Sequence, residues 1–149
     1  MSTLILGCGN PERGDDAAGL VAARKLREMG LNALEHSGDM LSLFYRWAGY
    51  DEVIIIDAMI SGAPAGTIKW INPREDTIPG KQFHSSTHEF GLAEVIELAR
   101  SLAQLPPKLT ICGIEAGHCD IGAPLSPEVA QAVEKIVLDT YQLVAQTSR

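Results

Sequence analysis

The sequence predicts an α/β fold in which a mainly parallel, twisted sheet lies between layers of helices. Three observations predict it. Segment 52–58, EVIIIDA, is a continuous β-branched apolar run of the kind found in strands covered on both faces. Two further apolar runs, TLILGC at 3–8 and KLTICGIE at 108–115, read as buried strands. Helix-period segments separate them, giving the order β-α-β-α-β-β-α-β-α, and alternation of this kind implies parallel strands joined by helices.

Each element has a local reason. After strand 3–8, residues 16–30 place Leu20, Val21, Ala22 and Leu26 at helical spacing, with Gly30 as the stop. LNALEH (31–36) is a short, weaker strand. DMLSLFYRWAG (39–49) carries Leu43, Phe44 and Trp47 on a helix that ends at Gly49. After the central strand and the turn SGAPAG, TIKWIN (67–72) alternates as an edge strand does. Residues 73–87 show no period and read as a long functional or mobile loop. HEFGLAEVIELARSLAQL (88–105) is an amphipathic helix stopped by Pro106-Pro107. The last helix, 126–146, opens with Ser126 as N-cap, Pro127 in first position and Glu128 in the first turn. No repeat or low-complexity stretch divides the chain, so residues 1–149 read as one domain.

Composition excludes several functions. A net charge of -7 argues against a nucleic-acid surface, which needs a basic face. No apolar run approaches the ~18 residues of a membrane span. MSTLILGCGNPERG lacks a basic n-region and reads as a first strand rather than a signal peptide, so a cytoplasmic location is expected. Cys8, Cys112 and Cys119 form an odd set without CxxC spacing, which disfavours a disulfide framework or a structural zinc. Cys8 and Cys112 sit in apolar runs and read as small packed hydrophobes.

The loop GNPERGDDAAG (9–19) carries the first chemistry. It fails the dinucleotide fingerprint, because Glu12 stands where the third glycine belongs. It matches a phosphate loop through Gly14 and then reads Asp15-Asp16, two carboxylates that would repel a phosphate. One Asp suffices for an N-cap, so capping leaves the second unexplained. Asp57 closes the central strand, at the carboxyl edge where open α/β sheets bind ligands, or else it caps the next turn. His88, in HSSTHEFG (84–91), sits where a loop meets a helix and by itself is more often a structural residue than a ligand; His84 is the competing imidazole, farther into the loop. Together Asp16, Asp57 and His88 can converge on one sheet edge. Two carboxylates and one imidazole suit a divalent ion such as Zn, Ni, Mn or Fe, with open positions for other groups. In GIEAGHCDIGAPLSPEV (113–129), a His118–Cys119 nucleophile pair is the sharper reading and a structural loop the favoured one, since sequence neighbours rarely reach base–nucleophile geometry.

The segments ILGCGNPERGDDAAG, VIIIDAM, SSTHEFG and GIEAGHCDIGAPLSPEV together resemble the hydrogenase maturation proteases, over nearly the whole chain and in the right order. The first motif looks closest to members carrying GN…R-x-DD…G, familiar from proteases of bidirectional hydrogenases. The resemblance implies a three-layer α/β/α domain around a five-stranded twisted sheet. It implies an endopeptidase that clips a short C-terminal peptide from a [NiFe] hydrogenase large-subunit precursor after nickel insertion. The family's metal-contacting positions fall on Asp16, Asp57 and His88, which are then both the catalytic and the metal residues. One departure concerns HSGDML (36–41), where many members have a Gly-Gly-Thr type turn. Gly38 is kept, and Asp39 is either a further carboxylate near the site or the cap of helix 39–49, the cap being favoured.

On this reading nickel belongs to the precursor, held mainly by the precursor's cysteines, and no cofactor is permanently bound. Recognition of the ion is favoured over direct catalysis, because no permanent fourth ligand is evident, although polarising the scissile carbonyl or activating water remains open to such a set. The partner is the precursor, and the protease is expected to be a monomer. Two other classes compete. A small-molecule phosphorylase or amidohydrolase would need a basic anion pocket, whereas Arg13 is the only cation near three acids. A nickel carrier would hold metal tightly when isolated.

Overall fold

The computed structural model describes residues 2–76, 78 and 91–147. Within them lie five strands: β1 (Thr3–Cys8), β2 (Ala33–His36), β3 (Glu52–Met59), β4 (Ile68–Ile71) and β5 (Lys108–Glu115). Four α-helices accompany them: α1 (Ala18–Glu28), α2 (Leu43–Trp47), α3 (Leu92–Ser101) and α4 (Pro127–Thr147). The sheet order is β2-β1-β3-β5-β4, parallel throughout except for β4, which pairs antiparallel with β5 at the edge.

The central position of β3 follows from its composition. All eight of its residues are buried. The two-residue period sends Val53, Ile55 and Met59 to one face, where they pack with Leu43 and Trp47 of α2 and Leu92, Val95 and Ile96 of α3. Ile54 and Ile56 go to the other face, against Ala18, Ala22 and Leu26 of α1 and Val129, Val133 and Ile136 of α4. Each such side chain contributes about 1.5–3 kcal/mol of transfer free energy, and the result is the expected three-layer sandwich.

Helix ends account for most differences from the sequence expectation. Gly30 does end α1: it has φ 93°, and Leu31 N donates to Leu26 O at 3.1 Å. The helix expected over 39–49 is shorter, because a 3₁₀ turn (Met40–Ser42) precedes α2. The helix expected to run to Leu105 stops at Ser101. The chain reverses at Ala103, φ 55°, with Gln104 N donating to Ala99 O at 2.8 Å and Ala103 N to Arg100 O at 3.2 Å. Pro106 keeps the residue before it out of helical geometry, so this Schellman turn must close upstream of the prolines.

The fold places a site through its topology. From β1 the chain moves to β2 on one side, then returns to lay β3 on the other. The carboxyl ends of β1 and β3 therefore flank a switch point, the crevice where α/β sheets bind ligands. Helix α1 lies directly over this seam. A Cβ on Gly19 would stand 2.3 Å from Ile56 O and 2.4 Å from Cys8 O, so only glycine lets the helix settle onto both strands.

Candidate active site at the carboxyl edge of the sheet

Both predicted carboxylates reach the switch point. Asp16 lies in a 3₁₀ turn, Gly14–Ala17, between β1 and α1. Its backbone is fixed by Asp16 N donating to Arg13 O at 2.9 Å and by Asn10 N donating to Asp16 O at 3.2 Å. Gly9 permits that closure, since a Cβ there would meet Asp16 O at 2.0 Å. Asp57 lies near the carboxyl end of β3, in register with Gly113 of β5. Alternation puts it on the α2–α3 face. Only 7 % of it is exposed. Burial pushes its carboxyl well above the usual carboxylate range, and the Asp16 charge pushes it further, against a smaller pull from the Ala58 N–H. The two acids thus act on each other electrostatically across the seam.

His88 lies outside the described residues, together with His84, Ser86, Thr87 and Glu89. Helix α3 begins at Leu92 behind Gly91 as its N-cap. Among the described residues no three His, Cys, Asp or Glu side chains form a group that could hold a metal ion.

Of the other groups at this edge, sequence reasoning weighed Cys119 in a His118–Cys119 pair and read Cys8 as a packed hydrophobe, and it gave Glu115 no role. The Cys8 thiol is buried beside Asp57. Burial raises its pKa most, then the Asp57 charge; Arg46 opposes them and Asp16 adds to them. Cys119, half-buried, is also held above the ordinary thiol range by burial and by the charges of Asp16 and Asp15, while the Asp16 backbone N–H pulls it down. A thiol whose pKa is raised by burial and by neighbouring carboxylates is a poor nucleophile. Glu115, buried at the end of β5, accepts a hydrogen bond from Ser61 N at 2.9 Å and another from Ser61 Oγ. It ties the loop after β3 to β5.

Asp15 has a role that capping does not describe. Its carboxylate is fully buried and points toward loop 116–126. Oδ2 accepts from Gly117 N at 2.7 Å, His118 N at 2.8 Å and Ser126 Oγ at 2.7 Å; Oδ1 accepts from Ser126 N at 2.7 Å. Burial works to raise its pKa, but the Ser126 hydroxyl and the N–H groups of His118, Ser126 and Gly117 outweigh it and hold the carboxyl below its ordinary value. Ser126 stands just before α4, where the sequence places the N-cap, and its hydroxyl donates to Asp15. Asp39, by contrast, caps as expected: its side chain accepts from Ser42 N at 3.1 Å.

The sequence pattern of hydrogenase maturation proteases matches residues 36–142, well over half of the chain. The chain belongs to the hydrogenase maturation protease family. It is 29% identical over 148 residues to the hydrogenase 2 maturation protease of Escherichia coli, covering 90% of this chain and 85% of that one. The solved [NiFe] hydrogenase maturation protease HybD from Thermococcus kodakarensis superposes with a TM-score of 0.78 at 30% identity, covering 96% of this chain and 99% of that one. The maturating endopeptidase HybD of E. coli has the same fold, with a TM-score of 0.80 at 24% identity over 99% of this chain and 94% of that one. The family is one of endopeptidases, so the acids at the switch point sit in an enzyme. Among the described residues of this maturation protease, no helix is long and apolar enough to cross a membrane.

Proposed function

We propose that this maturation protease removes the C-terminal extension of a [NiFe] hydrogenase large-subunit precursor after nickel insertion, and that Asp16, Asp57 and His88 meet the nickel that the precursor carries. The observation that carries this reading is the pairing of Asp16 with the buried Asp57 at the β1–β3 switch point. Two carboxylates there, one of them desolvated, repel each other. A divalent ion arriving with the substrate relieves that repulsion and gains two hard oxygen ligands. A nickel-free precursor brings no such relief, so the loaded precursor binds better and cleavage is gated by that difference. His88 enters on its place in the family motif and supplies the borderline nitrogen ligand. The ion is substrate-borne: two or three ligands with open positions suit recognition of an ion already held elsewhere.

The test is incubation with nickel-loaded precursor, scored by loss of the C-terminal peptide in the intact mass. Asp57→Ala and His88→Ala are expected to abolish processing while far-UV circular dichroism stays native. Normal processing by both variants refutes the assignment. The nickel-free precursor should remain uncut, and equal cleavage of both precursors refutes the gating. Metal analysis of the isolated protein separates the carrier alternative, which requires tightly held nickel.

A further inference from the structure

The sequence carries two adjacent acids, and the proposed chemistry uses only one. Asp15 makes no contact that peptide cleavage requires, and it does not cap a helix: the 3₁₀ turn shows no side-chain cap bond and α1 begins behind Ala17. Yet its carboxylate accepts four hydrogen bonds, and the donors of all four lie in one distant segment, Gly117 to Ser126. The latch runs both ways, because Asp15 N donates to His118 O at 2.8 Å. The neighbouring turn closes on the same segment: Gly122 N donates to Glu12 O at 2.8 Å. There is little slack in this join. A Cβ on Gly14 would stand 2.5 Å from His118 O, and one on Gly117 would stand 3.2 Å from Asp15 Oδ2.

We infer that Asp15 is a positioning residue for the protease reaction: by latching the β1–α1 turn to loop 116–126, it fixes Asp16 opposite Asp57 and makes that loop a wall of the active site. Asp16 follows Asp15 directly, so its backbone is held between the Arg13 and Asn10 bonds on one side and the latch on the other. Cys119 is carried to Asp16 by the same loop. Glu115, bonded to Ser61, holds the loop after Asp57 in the same way. A buried carboxylate on each side therefore sets the spacing of the carboxylates that face the substrate, and neither touches the substrate. This inference rests on the reading of Asp16 and Asp57 as the acting pair.

The experiment compares Asp15→Asn and Ser126→Ala with the wild-type protein and with Asp16→Asn. In isolated protein, amide exchange should accelerate about tenfold or more at Asp16 and at 116–119 in both latch variants, while β1 and β3 keep their protection. With nickel-loaded precursor, at a temperature where the variant is folded, kcat should fall about thirtyfold in Asp15→Asn, because small misplacements of a reacting group are costly. KM should stay within roughly threefold, because the docking surface is untouched. Ser126→Ala keeps the three backbone donors and should lose about three- to tenfold in kcat. A residue that merely stabilised the fold would lower the melting temperature and leave kcat alone. Hence a folded Asp15→Asn with wild-type kcat overturns the inference. Should that variant not fold, Ser126→Ala decides, and unchanged kcat with unchanged exchange overturns it. Asp16→Asn separates the two readings: wild-type processing by that variant refutes the site, while the exchange data still judge the latch.

Discussion

Replacing Asp15 by Asn tests the latch as a source of stability. The carboxylate accepts from four donors at 2.7–2.8 Å with no water access. An amide has one acceptor oxygen. Placed at the Oδ2 position, it keeps Gly117 N, His118 N and Ser126 Oγ but turns its own NH₂ toward Ser126 N–H. Losing a charge-assisted bond and leaving a buried donor unpaired costs about 1.5–3 kcal/mol. The three remaining bonds fall from charge-assisted to neutral, which brings the total to about 3 kcal/mol, since such losses do not add fully. With a urea slope of about 2 kcal/mol/M for a domain of this size, the midpoint should fall by about 1.5 M. The pH dependence gives an independent check. Asp15 has a depressed folded-state pKa, so its contribution is fully present above the unfolded carboxylate value of about 3.9 and is lost as pH falls through the lower folded value. The gap between wild type and variant should be constant from neutral pH to about 5 and close below about 4. A loss under about 1 kcal/mol at neutral pH, or a gap that widens on acidification, refutes the reasoning.

Three further outcomes follow from the same geometry. Asp57→Asn should abolish processing yet stabilise the isolated protein at neutral pH by about 1 kcal/mol, a gain read by urea titration. Asp57 has a raised folded-state pKa, so its charge costs stability above the unfolded carboxylate value, and the gain should vanish below about pH 4. Gly19→Ala should lower stability by about 2 kcal/mol in thermal unfolding despite alanine's better helix propensity, because its Cβ meets carbonyls of both β1 and β3. Cys119, half-buried where Cys8 and Cys112 are buried, should be the thiol that iodoacetamide labels first. Its labelling at neutral pH should be about tenfold slower than that of an unstructured thiol and should speed up in Asp16→Asn, which removes a charge that raises its pKa.

The legible parts of the sequence were those with a local cause. The run EVIIID can be buried on both faces only as a central strand, and β3 is that strand. Gly30 stops α1 for the reason any glycine stops a helix. The edge position of β4 follows from its alternating, half-polar pattern. Asp16 and Asp57 could be placed together because strand ends in a parallel sheet share one edge. The partners of Asp15 could not be read, because its donors lie more than a hundred residues away and two of the three residues involved donate through the backbone alone. No side-chain type announces such a bond. The signal in the sequence was negative: a second acid that capping and cation binding did not both require. The early end of α3 was hidden for a similar reason, since Ala103 in a left-handed turn has no distinctive residue type.

The two adjacent aspartates divide opposing thermodynamic tasks. Asp15 is stabilised as a carboxylate by donors on every side, and its charge favours the folded state. Asp16 and Asp57 bring like charges together where burial disfavours charge, and the Asp57 carboxyl is a cost to the isolated protein. The latch is what prevents that repulsion from being relaxed by movement of the turn. With Asp15 bonded to loop 116–126 and α1 seated on the seam through Gly19, the backbone that carries Asp16 is held in place beside β3. Repulsion that cannot relax structurally is available to be relieved by a cation, and this is the form in which a protein can store selectivity for a metal-loaded substrate. It follows that loosening the latch should ease this repulsion in the isolated protein as well as slow the cut. In urea titration, Asp57→Asn should then gain less stability on the Asp15→Asn background than on the wild type, because a loosened turn has already eased the repulsion within the same pair.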